Sequence, residues 1–166
     1  MKEIREILNG TGWNMLSLKD AGIDADIEEN GTTFEENAKI KAEGIRNWCL
    51  ENGIPGCSRI SAKEIIVLAD DSGLEIDWLG GEPGIYSARY MGHETSYREK
   101  NANLISRLDG VPKEKRTARF VCAIAAALPD GNSLVTRGTI EGYIGWEECG
   151  SNGFGYDPIF YLYEND

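Results

Sequence analysis

The sequence predicts an α/β protein, a mixed sheet flanked by helices, and three observations predict it. An apolar face of helical period runs from Thr33 to Cys49, and an apolar run of strand length occupies Ile65 to Ala69. Two long β-rich stretches, Thr117 to Leu128 and Ser133 to Ile144, flank the turn signal Pro129-Asp130-Gly131-Asn132. The 166 residues suit one domain, and no repeat, low-complexity tract or linker divides them. A hydrophobic fraction of 41% beside 27% charged residues is that of a chain with a real core.

The elements follow in order. Ile4, Ile7 and Leu8 recur at helical spacing, and Asn9-Gly10 ends that helix. Trp13 to Leu18 has the composition of a short strand. Thr33 and Glu36 form a T-x-x-E capping box, after which Phe34, Ala38, Ala42, Ile45 and Cys49 share one buried face. The run Ile65 to Ala69 stops at Asp70-Asp71, which places carboxylates directly after a buried strand. Gly80-Gly81-Glu82-Pro83-Gly84 predicts a tight loop. Thr95 to Leu108 predicts a helix with Tyr97, Asn101, Leu104, Ile105 and Leu108 on one face.

Charge and composition narrow the function. Lys and Arg total 17 against 28 Asp and Glu, a net charge of −11, which opposes binding to a nucleic-acid polymer. One small anionic ligand remains compatible, given a local cluster of cations and a divalent metal bridging it to carboxylates. The longest apolar run, Phe120 to Leu128, falls well short of the ~20 residues of a membrane span. The opening MKEIREIL is not a secretory signal, so a cytoplasmic location is expected. Cys49, Cys57, Cys122 and Cys149 form no C-x-x-C pair, and reduced thiols are expected.

Three clusters are candidates for chemistry. Asp70-Asp71-Ser72-Gly73 puts carboxylates where α/β proteins bind ligands, although a solvated turn has the same composition. Asn37 and Lys41 are four apart on one helix face beside Glu36. A carboxylate and an ammonium so placed suit a metal–phosphate complex, and they also suit an ordinary exposed helix, the more frequent case. In Gly150 to Pro158, glycines frame Phe154, Tyr156 and Asp157. Such a loop lets backbone approach a flat ligand while a ring stacks on it, or it is a Gly-rich turn with its aromatics in the core. His93 is the only histidine and has no nucleophile partner, and neither a P-loop nor a dinucleotide fingerprint occurs.

Five stretches taken in order, TFEENAKIKA (33–42), LADDSGLEID (68–77), LGGEPGIYSARY (79–90), RTARFVCAIA (116–125) and GSNGFGYDPIF (150–160), resemble the inosine triphosphate pyrophosphatase family. The resemblance extends over nearly the whole chain. It implies an elongated mixed sheet, two lobes with a central cleft, and a homodimer. It also implies Mg²⁺-dependent hydrolysis of purine nucleoside triphosphates (ITP, dITP, XTP) to the monophosphate and pyrophosphate. On the matching positions, Asp71 resembles the catalytic proton acceptor and metal ligand, and Glu36 the second metal carboxylate. Ser72 and Lys41 resemble substrate contacts, while Phe154, Gly155, Tyr156 and Asp157 match the nucleoside-binding loop. The family's first strand with its triphosphate-gripping motif, and its C-terminal lysine and Ser-His-Arg motif, have no counterpart within Met1 to Asp166. From those departures comes the alternative of a nucleotide-binding or structural homologue with impaired catalysis. Gly53 to Glu64 is longer than the family's corresponding segment and is expected to be a surface insertion.

Overall fold

The computed structural model describes residues 2–57 and 59–163. Three α-helices, α1 (Lys2–Ile7), α2 (Phe34–Asn52) and α3 (Tyr97–Arg107), accompany four strands, β1 (Val67–Ile76), β2 (Thr117–Ala127), β3 (Ser133–Ile144) and β4 (Phe160–Leu162). The strands form one sheet in the order β1-β2-β3-β4, and every pairing is antiparallel. The last part of the apolar run, Val67 to Ala69, thus belongs to a strand that pairs with the next one as a neighbour, without a crossover, while Ile65 and Ile66 precede it.

Strand alternation assigns the side chains to two faces. Helix α2 covers one face at one end, where Phe34, Ala38 and Ala42 pack on Val121, Ala123, Ala125 and Ala127. Alanines at every second position of β2 let the helix approach closely. At the other end the opposite face is covered: Leu74, Ile76 and Ala118 meet Leu104 and Leu108 of α3, with Ile144, Tyr156 and Ile159. A third cluster gathers Ala21, Ile45, Cys49 and Ile54 beneath the C-terminal half of α2.

Both long helices are capped as their sequences dictate. Thr33 Oγ accepts the Glu36 N–H at 3.1 Å. The reciprocal half of the box shifts by one residue, because Glu36 Oε2 takes the N–H and hydroxyl of Thr32 at 2.6 and 2.8 Å. Ser96 and Glu99 form a complete capping box on α3. The hairpin turn closes with Leu128 N–H donating to Asn132 O at 2.8 Å.

Three expectations change. Trp13 to Leu18 is irregular backbone with Trp13, Leu16 and Leu18 exposed, since no ladder partner lies beside it among the described residues. Strand β1 does not stop at Asp70-Asp71 but runs on to Ile76, because Leu74 and Ile76 resume the buried alternation. The segment Gly53 to Glu64 is mostly exposed, as an insertion would be, yet Ile54 is buried and Gly56 N–H donates to Ala21 O at 2.8 Å.

Candidate active site

Continuation of β1 separates the acidic tetrapeptide by face. Asp71 points toward α2, whereas Asp70 and Ser72 stand on the opposite face and are exposed. Asp71, whose side chain is 13% exposed, lies between two residues one turn apart on α2. Asn37 Nδ2 donates to Asp71 Oδ2 at 3.2 Å, and Lys41 Nζ donates to Asp71 Oδ1 at 3.4 Å. The i, i+4 spacing is what lets one helix face grip both oxygens of one carboxylate.

Second partners fix both gripping residues. Asn37 is fully buried, and its Oδ1 accepts the Gly31 N–H at 2.9 Å. A Cβ on Gly31 would lie 2.6 Å from that oxygen, so only glycine permits this approach. Lys41 Nζ also pairs with Glu29 Oε2 at 3.1 Å. Burial raises the Asp71 carboxyl above its ordinary range, against the lowering by Lys41 and Asn37; the nearby Glu29 charge adds to the rise. A carboxylate so perturbed holds a proton more readily than an exposed one and is a better base near neutrality.

Glu36 is occupied elsewhere: its two hydrogen bonds from Thr32 hold its carboxyl below the usual range. Glu29, which spacing alone did not single out, is instead the acid that shares Lys41 with Asp71. Among the described residues no group of three or more His, Cys, Asp or Glu side chains converges as a metal cage. Two oxygen donors on one lysine remain, a set suited to a metal that takes most of its ligands from phosphate and water.

The Gly150 to Pro158 loop divides its aromatics. Phe154 is 84% exposed, whereas Tyr156 is buried and its OH donates to Ser87 O at 2.7 Å. Asp157 Oδ2 accepts the Phe154 N–H at 2.9 Å, closing the turn that presents the Phe154 ring. The α3 residue Asn101 anchors the loop by donating to Gly155 O at 3.2 Å. Neither Asn101 nor Ser87 was legible as a loop anchor from spacing. Ser87 reaches strand β1 as well, since its Oγ accepts the Leu74 N–H at 2.9 Å and donates to Gly84 O at 2.6 Å. His93 lies exposed in a turn.

A cleft of about 550 Å³ opens beside the Asp71 cluster. Its walls are the approach to α2, which includes Glu29, and the Gly80 to Tyr86 loop; Glu75, Arg89 and Arg137 also line it.

The chain is similar to proteins named dITP/XTP pyrophosphatase from Bacillus licheniformis, 45% identical over 166 residues (all of this chain, 78% of the relative), and Bacillus subtilis, 44% identical over 166 residues (all of this chain, 77% of the relative). The solved Ham1 protein of Staphylococcus aureus superposes with a TM-score of 0.81 at 38% identity, covering 98% of this chain and 75% of that one. A nucleoside-triphosphatase, or dITP/XTP pyrophosphatase, from Mycobacterium abscessus gives 0.77 at 36% identity, covering 97% and 77%. No described helix is long and apolar enough to cross a membrane. With its residues 1–166 matched to the Ham1 family, the chain belongs to that family.

Proposed function

We propose that this protein hydrolyses non-standard purine nucleoside triphosphates of the dITP and XTP type to the monophosphate and pyrophosphate. The observation that carries the reading is the largely buried Asp71 gripped by Asn37 and Lys41, in a chain whose relatives are named dITP/XTP pyrophosphatases.

Each residue has a role in that reaction. Ionised Asp71 accepts the proton of the attacking water at one carboxylate oxygen, and its burial-raised basicity favours the transfer. Asn37 and Lys41 fix the carboxylate plane. An ammonium has three donor hydrogens, so Lys41 keeps one for a substrate phosphate while serving Asp71 and Glu29. Phe154 offers a free ring face to the base. The buried Tyr156 and the turn-closing Asp157 set that ring's position, with Gly155 held by Asn101. Ser72 faces away from Asp71, so its contact with substrate would be made on the other side of the strand.

Asp71 and Glu29 would hold Mg²⁺, the fit resting on two carboxylates shared by one lysine; Glu36 is committed to Thr32. When bound, the metal neutralises phosphate charge. A homodimer is also in keeping with the surface, because one sheet face leaves Leu68, Leu134 and Ile140 41%, 63% and 58% exposed. Light scattering reads that directly, and a monomer at all concentrations would remove it.

The function test is pyrophosphate release from dITP and XTP beside ATP and GTP, with Mg²⁺ and with EDTA. Expected are metal-dependent release selective for dITP and XTP, and a loss of about 10²- to 10⁴-fold in Asp71→Asn. A folded chain that binds nucleotide without turnover would overturn the hydrolase reading.

A further inference from the structure

The loop that presents Phe154 leaves β3 after Ile144, and its base is closed where Gly145 N–H donates to Ile159 O at 2.9 Å. One step further out, Cys149 N–H donates to Pro158 O at 2.9 Å. Beyond that neck, Gly150 to Phe154 are all exposed. One side chain from outside the loop reaches both of its limbs. Asn101 of α3 is 1% exposed, and its Nδ2 donates to Glu148 Oε1 at 3.0 Å and to Gly155 O at 3.2 Å. Glu148 stands on the outgoing limb, and Gly155 stands on the returning one directly after Phe154. Both amide hydrogens are thereby used, whereas the buried Asn101 Oδ1 has no hydrogen-bond partner among the described residues.

A side-chain amide has two orientations that exchange its nitrogen and oxygen, and its surroundings select one. The Glu148 carboxylate and the Gly155 carbonyl are acceptors only, so both favour Nδ2 and repel Oδ1. The carboxylate is the stronger selector, because its bond is charge-assisted. Glu148 is exposed, forms no ion pair among the described residues, and has Asn101 as its side chain's hydrogen-bond partner. An amide oxygen buried without a donor is unfavourable, and an apolar side chain would fill the same space without that cost. What the asparagine supplies is direction. With its nitrogen turned to the loop it holds Gly155 O, while Asp157 Oδ2 holds the Phe154 N–H at 2.9 Å, so the backbone is fixed on both sides of the ring-bearing residue.

We infer that Glu148 is a positioning residue for base recognition: its carboxylate orients the Asn101 amide, which holds Gly155 O and so sets the direction of the Phe154 ring. The inference rests on the reading that Phe154 stacks on the base of a nucleotide. Glu148 touches no ligand itself and acts through Asn101, Gly155 and Phe154 in turn. Removing the carboxylate frees the amide to turn over, which leaves Gly155 O without its donor. Glutamine is no substitute at this position, since its own amide can donate to Asn101 Oδ1 and hold the turned-over state.

The experiment compares the parent chain with Glu148→Ala, Glu148→Gln, Phe154→Ala and the double variant Glu148→Ala/Phe154→Ala. Binding of IMP is measured by calorimetry, and kcat and KM for dITP are followed alongside. Glu148→Ala is expected to weaken IMP and raise KM for dITP by about 3- to 10-fold, the worth of one hydrogen bond passed on to the stacked base. Its kcat changes by less than about 3-fold, since base stacking holds ground and transition states alike. Glu148→Gln loses about as much as Glu148→Ala. The double variant separates positioning from general loosening: with Phe154→Ala in place, adding Glu148→Ala changes IMP affinity by less than about 2-fold. Unchanged IMP affinity in Glu148→Ala, parent-like affinity in Glu148→Gln, or an equal loss with and without the Phe154 ring overturns the inference, while the parent's turnover of dITP leaves the hydrolase reading intact. A parent that binds IMP without turning over dITP overturns the hydrolase reading, and the IMP comparison still decides the role of Glu148. A parent that neither binds IMP nor turns over dITP overturns both.

Discussion

Gly73, midway along β1, tests whether that strand and the loop beside it are packed as described. A Cβ added there would lie 2.5 Å from Ser87 Oγ, 2.6 Å from Gly84 O and 2.9 Å from Phe34 Cε1. Gly84 O is backbone, and Ser87 Oγ is held by its bonds to Leu74 N–H and Gly84 O, so neither can yield cheaply. Gly73→Ala therefore displaces the serine, at about 1 kcal/mol for each hydrogen bond lost. Overpacking against Phe34 adds about 1–3 kcal/mol. Together these reach about 3–5 kcal/mol, which at roughly 2–4 °C per kcal/mol for a chain of this length lowers Tm by roughly 6–20 °C. Gly138 on β3 supplies the control, since nothing lies within 4 Å of its Cβ position and its φ is not in the left-handed region. Gly138→Ala should stay within about 0.5 kcal/mol of the parent. Thermal melts followed by circular dichroism decide the matter, and a Gly73→Ala protein melting within about 2 °C of the parent would refute the packing argument.

Three further outcomes are expected. Tyr156→Phe leaves the buried Ser87 carbonyl without its donor and should cost about 1–3 kcal/mol in denaturant unfolding, so an unchanged midpoint would show that bond to be worthless. Phe154→Ala removes an exposed ring and should leave Tm unchanged while raising KM for dITP and XTP about 5- to 100-fold, the value of one stacked base; equal KM would free Phe154 from base recognition. Asp71→Asn should melt no lower than the parent at pH 7. A carboxyl raised in the folded state costs stability at pH above its unfolded value near ~3.9 and nothing below it, so any advantage of the variant fades on acidification from the raised folded value down to that one. A variant melting several degrees lower at pH 7 would assign Asp71 a stabilising role instead.

Much of the fold was legible because local signals agreed with tertiary packing. The α2 face of Phe34, Ala38, Ala42, Ile45 and Cys49 is buried as its period requires, and the Asp130-Gly131 hairpin joins the strands expected. The misjudged end of β1 came from three polar residues in a row, Asp70, Asp71 and Ser72, which hid the alternation resuming at Leu74 and Ile76. Correcting it changes the site, since residues adjacent in a strand cannot both face the helix. Glu29 was illegible for a different reason. Glu29 meets Lys41 only because Gly31 N–H bonds Asn37 and turns the incoming chain back over α2.

Strand β1 belongs to both halves of the core, and this explains how the two parts of the candidate site keep their spacing. Its first half carries Asp71 beneath α2, and its second half carries Leu74 and Ile76 into the cluster that holds Tyr156. Ser87 joins the halves from outside the sheet. It bonds the Leu74 amide with its hydroxyl and receives the Tyr156 hydroxyl on its carbonyl. The loop presenting Phe154 is thus tied to a strand position three residues from Asp71. A ligand spanning both would meet a base contact and a proton acceptor whose separation is set by one extended strand and two buried hydrogen bonds. An edge strand without covering neighbours would drift. Here its outer Leu74 amide is taken up by a buried serine, which fixes the edge at the point where the two halves meet.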